Sequence, residues 1–384
     1  MKLGVDLRCL QDNYLAGVGE YAWQILRIFP QLDKSIELFG YANAAGKINL
    51  PAELESILKL QRRHLPNRIN NVLLSLKLGQ PIDRQIFKTT GKLDAFWFPN
   101  PSFINLAAGL KAVLTVHDLA FVYWPEFFKF KSRLWYFAVV KKLLKQIPQA
   151  KLEVVCVSQH TADDLMSLVP QIKPNKIRII YPGVNESYFN KPGQSDFNDF
   201  RRKYNLPANY LLSLGTIEPR KNYELLLRAY AQILKIQPDF PYDLVIAGAW
   251  GWNNGKLKRL IKSYPYRQRL HILGYVQAAD KLLLYSGASL FLYPSFYEGF
   301  GIPPLEAMAS GTAVITSQTS SLPEVVGGAG LLLSPYSSEA WAEAILWLSQ
   351  DGQAREKYQS AGRTRAQKFS WTKAAGQYLD YFKS

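Results

Sequence analysis

Two glutamates eight positions apart, Glu298 and Glu306, frame the run Phe296-Tyr297-Glu298-Gly299-Phe300-Gly301-Ile302-Pro303-Pro304-Leu305-Glu306. An apolar, strand-like stretch, Leu290-Phe291-Leu292-Tyr293, precedes it, and a helix is predicted from Pro303 to Ala309. The carboxylates therefore flank the point where a strand becomes a helix, with Glu306 expected in the first helical turn. Gly299 and Gly301 allow backbone to approach a ligand where a Cβ would intrude. Pro303 and Pro304 suit a helix start, whose first N–H groups have no intrahelical partner. Those free N–H groups and the helix dipole attract an anion such as phosphate. Carboxylates beside them can accept hydrogen bonds from sugar hydroxyls. The ligand so implied carries both phosphate and hydroxyls, as a nucleotide sugar does. The same residues also suit an ordinary glycine-bearing connection, with Glu298 exposed and Glu306 complementing the helix dipole.

A second patch narrows the choice. Gly215-Thr216-Ile217-Glu218-Pro219-Arg220-Lys221-Asn222 follows the strand-like Leu211–Leu214 and precedes a helical run holding Leu225, Leu226 and Leu227. Two adjacent cations at the C-terminal end of a strand can hold a pyrophosphate and stabilise the charge that grows on it as a sugar departs. Taken with the paired glutamates, this resembles the E-x7-E motif of the retaining glycosyltransferases called group 1 or GT4-like. That family contains bacterial mannosyl- and glucosyltransferases and sucrose synthases. The likeness is strong from about 208 to 335 and weak before 100.

The resemblance implies an α/β fold of GT-B type, two Rossmann-like doubly wound domains facing across a cleft. It assigns Glu298 to the donor sugar's hydroxyls, Glu306 to the ribose, and Gly299, Phe300, Gly301 and Ile302 to contacts with sugar and phosphate. Arg220 and Lys221 take the pyrophosphate. Many relatives have an arginine directly after the glycine where this chain has Thr216, which shifts more of that work to Arg220. In the first half, Gly17-Val18-Gly19-Glu20-Tyr21 is a weak G-x-G signal without the third glycine of a dinucleotide fingerprint. The family places such a loop near the donor phosphate, which marks Gly19; a simple tight turn fits equally well. His117, beside Asp118 at a strand tip, is expected to contact the transferred sugar or orient the acceptor. Ser158 reads mainly as a helix cap.

The wording T-x-E-P-R-K-N and Y-E-G-F-G-I-P-P-L-E looks most like transferases of bacterial polysaccharide assembly. The implied reaction retains anomeric configuration and moves a hexose, mannose as first choice, to a glycan or lipid-linked acceptor. GDP-mannose is the first donor and a UDP-sugar the second. No D-x-D, zinc-like Cys/His spacing or H-E-x-x-H is present, so neither a metal nor a separate cofactor is expected. Two competitors share the fold. A nucleotide-sugar epimerase would need a pair of acid/base carboxylates, and no convincing pair is found. A catalytically silent scaffold would not need Glu298, Glu306, Arg220 and Lys221 intact.

The elements that must position these residues alternate as short apolar runs and longer helical patterns over 384 residues, the mark of parallel α/β architecture. Strands are predicted at Leu3–Asp6, Glu37–Tyr41, Ala95–Phe98, Ala112–Val116, Val154–Val157 and Arg178–Tyr181. A second set falls at Leu211–Leu214, Leu244–Ala247, His271–Leu273, Leu290–Tyr293, Ala313–Thr316 and Leu331–Leu333. The Pro/Gly-rich stretch Pro182–Gln194 separates an acceptor-binding domain, 1–185, from a donor-binding domain, 186–370. The helical pattern from Trp371 to Phe382 is expected to return to the first domain.

With 48% hydrophobic residues and 13% aromatics the chain is globular. Cys9 and Cys156 are the two cysteines, too few for a disulfide framework, and a cytoplasmic setting is expected. The net charge is +16. Residues 59–92 carry eight Lys or Arg against Asp83, and residues 126–151 carry seven against Glu126. The second window interleaves aromatics with the charge, which suits a helix lying on the anionic inner face of a membrane. A helix packed by its aromatics with its lysines in water fits as well. No nucleic-acid recognition module accompanies the charge, and nucleic acid is not expected as a partner.

Overall fold

The computed structural model describes residues 1–11, 17–45, 50–51, 53–76, 78, 80–101, 104–107, 109–129 and 152–384. The alternation in the sequence becomes two parallel sheets. The first is built from β1 (Lys2–Asp6), β2 (Glu37–Asn43), β3 (Leu58–Arg63), β4 (Ala95–Phe98), β5 (Lys111–Val116), β6 (Leu152–Cys156) and β7 (Ile177–Ile179), in spatial order 3-2-1-4-5-6-7. The second uses β8 (Tyr210–Leu214), β9 (Asp243–Ala247), β10 (Leu270–Gly274), β11 (Leu290–Tyr293), β12 (Ala313–Ser317) and β13 (Leu331–Leu333), in order 10-9-8-11-12-13. Both orders reverse direction beside their first strand, the doubly wound pattern that leaves a crevice at the strand ends. The strands are near-continuous apolar runs because both faces of a parallel sheet are covered.

One strand was not foreseen. Leu58–Arg63 falls in the basic window, and its Lys59, Arg62 and Arg63 disguise it. It pairs with β2 from Leu38↔Leu58 to Asn43↔Arg63 and forms the edge of the sheet, where charged side chains discourage further pairing. Part of the basic charge is thus edge protection. The other window, 126–151, lies for the most part outside the described residues.

The chain divides into two compact units. One comprises Met1–Val122, Lys131–Gly183 and Trp371–Ser384, and the other Tyr123–Phe130 and Val184–Ser370. In the first unit, the helix Trp371–Lys383 packs on the helix Val18–Leu32: Tyr21 and Tyr378 share a hydroxyl hydrogen bond of 3.0 Å, and Thr115 Oγ1 lies 2.6 Å from the Tyr378 hydroxyl. The second unit has its own core, with Leu211, Leu226, Ile233, Leu244, Leu290, Ile315 and Trp341 buried together. No helix among the described residues is long and apolar enough to cross a membrane.

Pairing in the second sheet continues past the strand ends. Gly215 N donates to Ala247 O at 3.0 Å and Ile217 N to Ala249 O at 2.8 Å, so the loop that carries Glu218 to Lys221 is tethered by backbone. This close approach requires Gly248, at φ +141°, where a Cβ would stand 2.0 Å from the Gly215 carbonyl oxygen. Gly248→Ala is expected to lose at least about 2 kcal/mol, since an unfavourable φ alone costs about 1–3 kcal/mol. Urea unfolding checks it; a wild-type midpoint would show that the two loops do not meet this way.

Candidate functional site

The crevice of the second unit opens where β8 and β11 lie side by side. After β8 the chain makes a single 3-10 turn, Pro219–Lys221, with Lys221 N donating to Glu218 O at 3.1 Å. Asn222 then takes a left-handed conformation, φ 56°, which asparagine tolerates better than most residues. Its side-chain amide donates to Pro294 O at 3.2 Å and Pro335 O at 2.8 Å, joining this turn to the loops after β11 and β13. Phe296 N closes the frame on Arg220 O at 2.9 Å.

That frame brings four charges into contact. Lys221 Nζ donates to Glu298 Oε1 at 2.7 Å, and Arg220 Nη1 donates to Glu298 Oε2 at 2.9 Å. Arg220 also reaches Glu218 Oε1, through Nε at 2.9 Å and Nη2 at 2.7 Å, and the Tyr297 carbonyl at 2.8 Å. The Lys221 ammonium donates to the Tyr293 hydroxyl and sits 4.7 Å from the centre of that ring. Glu218, Lys221 and Glu298 are all buried. Burial pushes the Glu298 carboxyl up, but Arg220 and Lys221 outweigh it and bring its pKa down to about 2. Burial pulls the Lys221 ammonium down, Glu298 and Glu218 pull it back up, and Arg220 adds to the lowering. The cluster holds two cations against two carboxylates and is neutral as a whole.

The loop after Glu298 is pinned from a second direction. Glu298 N donates to Ser320 Oγ at 2.9 Å, and Ser321 Oγ donates to the carbonyls of Glu298 at 3.0 Å and Phe300 at 2.6 Å. Gly301, φ 117°, starts the helix Ile302–Ala309. The helix begins one residue earlier than the sequence suggested, and this corrects the placing of Glu306. It is the fifth helical residue and lies beyond the first turn, which contains no acid. Its buried carboxylate accepts from the Tyr285 hydroxyl at 2.8 Å, with Lys281 Nζ 4.0 Å away. Pro303 and Pro304 occupy the second and third helical positions, so within the first three positions only Ile302 has an N–H to offer an anion.

The first unit holds the remaining expected residues. Gly19 is the second residue of the helix Val18–Leu32, so its backbone is helical and the tight turn belongs to Gly17, φ 50°. His117 follows β5, and its Nε2 lies 2.7 Å from Pro99 O, a carbonyl that can only accept. The ring therefore carries its proton on Nε2. Burial lowers its pKa, against the raising effects of the Pro99 contact and Asp118. Tyr21 packs edge-on against it at 4.8 Å. Ser158 caps its helix, accepting from Thr161 N at 3.0 Å.

Glu218, Tyr293, Asn222, Ser320 and Ser321 carry this geometry without having been assigned roles from the sequence. Glu218 stood inside a motif already quoted, and a carboxylate two residues before an arginine was its available signal. The serines gave none, since their partners lie more than twenty positions away. Among the described residues no group of three or more His, Cys, Asp and Glu is placed to hold a metal ion.

Comparison with known proteins bears on this arrangement. Residues 195–365 match the family model for glycosyl transferases group 1, and residues 16–188 match that for glycosyltransferase family 4. The O-antigen chain mannosyltransferase B of Escherichia coli is 35% identical over 274 residues, covering 71% of this chain and 70% of that protein. Among solved structures, a sucrose-phosphate synthase from Thermosynechococcus elongatus superimposes with a TM-score of 0.78 at 20% identity, covering 100% of this chain and 98% of the other. Anabaena HepE in complex with UDP and glucose gives 0.74 at 20%, covering 100% and 99%. These two likenesses establish a shared two-domain GT-B fold.

The ion pairs give Glu298 a measurable signature. Its folded pKa, about 2, lies below the ordinary 4.5. The stability it contributes is therefore present above pH 4.5 and lost as pH falls towards 2. Glu298→Gln should cost about 3–5 kcal/mol at pH 7, because Lys221 stays buried without its carboxylate. Urea unfolding of the two proteins from pH 7 to pH 3 should show that gap flat at first and then narrowing below pH 4.5. A gap of constant size down to pH 3 would break the assignment.

Proposed function

Because the chain belongs to the glycosyltransferase family described by the group 1 and family 4 models, we propose that its second unit binds a nucleotide sugar at the Arg220–Lys221–Glu298 cluster. The chain then transfers a hexose with retention of configuration and without a metal ion. The observation that carries this reading is the charge cluster at the switch point between β8 and β11. It lies inside the residues that match the group 1 model.

Two adjacent cations are suited to a diphosphate, and their fixed charge stabilises the negative charge that develops as the sugar leaves. They supply what a divalent cation would otherwise provide. Arg220 and Lys221 donate to different oxygens of Glu298, and a carboxylate has about four lone-pair sites. It thus retains capacity for the hydroxyls of the donor sugar. Glu306, set by Tyr285, is assigned to the ribose, and the amides of Gly299 to Ile302 to sugar and phosphate. His117, neutral and protonated on Nε2, keeps Nδ1 as an acceptor for a sugar or acceptor hydroxyl, and Gly19 lies in the helical turn assigned to the donor phosphate. With the leaving phosphate as base, attack from the front face accounts for retention.

Mannose is the sugar favoured by the mannosyltransferase named above, GDP-mannose the donor, and a glycan or lipid-linked chain in polysaccharide assembly the acceptor. The UDP seen in HepE keeps a UDP-sugar as the second donor. Melting the protein with GDP-, UDP-, ADP- and dTDP-sugars, with and without chelator, tests this. A donor at a hundredfold excess over its Kd should stabilise by about 2.7 kcal/mol, and chelator should change nothing. No shift with any of them would overturn the reading. Lys221→Ala should lower turnover by about 10²–10³-fold; undiminished release of nucleoside diphosphate would remove Lys221 from the site.

A lipid-linked acceptor calls for contact with an anionic membrane surface. Within the basic window 59–92, the helix Asn67–Ser75 and its C-terminal end expose Ile69 by 51%, Val72 by 56% and Leu76 by 61%. Replacing these three with Ser should weaken co-sedimentation with anionic vesicles severalfold and leave nucleotide affinity unchanged. Unaltered vesicle binding would withdraw this surface.

A further inference from the structure

Beside the charge cluster the second unit contains a cavity of about 420 Å³, within the range of about 300–1,000 Å³ usual for small-molecule sites. Glu218 lines it, while Arg220, Lys221 and Glu298 are not among its lining residues. One wall is aromatic. Phe127 stacks on Phe296 with centroids 5.5 Å apart, and Phe296 lies 5.4 Å from Tyr336. Trp124 extends the stack behind Phe127 at 5.4 Å, and Trp252 Nε1 holds the Phe127 carbonyl at 2.7 Å. Elsewhere Leu225, Leu257 and two prolines share the lining with charged groups: Glu224 accepts from Lys256 Nζ at 2.6 Å, with Arg228 at 4.0 Å.

Asn254 is the telling residue of this lining. It is only 8% exposed, and its Nδ2 has no hydrogen-bond partner. It stands at the N-cap of the helix Gly255–Lys262, where asparagine usually caps with its side chain, yet no such bond forms. A buried donor left unpaired is unfavourable, and a ligand oxygen placed there would remove that penalty.

We infer that this cavity is a pyranose-binding subsite, separate from the diphosphate cluster, that holds one sugar unit of a glycan. Asn254 donates to a ring or hydroxyl oxygen, Glu224 accepts from hydroxyls, and the Phe127–Phe296–Tyr336 wall covers the C–H face of the ring. Of the charges that line it, Glu224 is paired with Lys256 and Glu218 with Arg220 of the neighbouring cluster, while the aromatic wall and the unpartnered amide donor suit a hydroxyl-rich ring. The inference rests on the transferase reading only for its class of ligand.

The test uses the nucleotide-free full chain, titrated by NMR with the methyl α-pyranosides of mannose, glucose and galactose and with an α-linked mannobiose. At least one should bind. Asn254→Leu should raise its Kd tenfold or more, and Tyr336→Ser, at a side chain exposed enough to leave folding unaffected, should raise it severalfold. Glu306→Gln should leave it within twofold. Absence of binding by every pyranoside, a Kd unmoved in both cavity variants, or displacement of the sugar by GDP or UDP would each overturn the subsite. Nucleotide-sugar stabilisation with no pyranoside binding defeats this inference alone, and the reverse pattern defeats the donor assignment alone.

Discussion

Charge balance under burial is the constraint on which the second unit depends. Isolated, any one of Glu218, Lys221 and Glu298 would be costly to bury, and each would neutralise itself by shifting its pKa. Together with Arg220 they form a closed set in which every carboxylate meets a cation. Such a set is a poor source of net stability, because desolvation consumes most of the attraction. It fixes positions instead. The guanidinium is spread between two carboxylates and a carbonyl, and the ammonium between a carboxylate and a phenol. Both cations are therefore held in place by the protein's own groups, and the reorganisation that free side chains would undergo on meeting a ligand is largely avoided.

The backbone makes that set possible. Glu218 to Lys221 and Tyr297 to Glu298 are some 78 positions apart, and only the adjacency of β8 and β11 brings them together. A parallel sheet holds its strand ends level, and the loops leaving them are then stitched by Phe296 on Arg220, by the Asn222 amide and by Ser320 and Ser321. Gly248 permits the closest of these approaches. The left-handed Asn222, the positive φ of Ser320 and the close approach at Gly248 all lie in loops that leave the C-terminal ends of this sheet.

Much of this was legible in the sequence, for a physical reason. Strands buried on both faces are apolar throughout, and the edge strands β7, β10 and β13 keep enough apolar residues to show, so twelve of the thirteen stood out; β3, also at an edge, escaped because Lys59, Arg62 and Arg63 interrupt it. Glu298, Arg220 and Lys221 also stood out in the sequence, at the tips of two predicted strands, and the structure brings them into contact. Their pairing did not stand out. Spacing along the chain says nothing about contacts across a sheet, and the glutamate expected to face only a sugar also anchors both cations. Glu306 was displaced by a smaller error. The sequence placed the helix start at the first proline, whereas Gly301 can cap one residue earlier with Ile302 in the leading position.

That shift changes how an anion can be held. A helix start ordinarily presents several unpaired N–H groups, and these supply much of the attraction for phosphate. Here the second and third positions are Pro303 and Pro304, which have no N–H to give. The dipole remains, but its hydrogen-bonding edge is reduced to Ile302 and the loop before it. An anion bound at this crevice would draw most of its charge compensation from side chains. The adjacent Arg220 and Lys221, already positioned by Glu218 and Glu298, are the groups able to provide it. The prolines at the helix start and the cations across the crevice are thus complementary features, and a site that bound an anion here would lose more from weakening those cations than one with a fully furnished helix terminus.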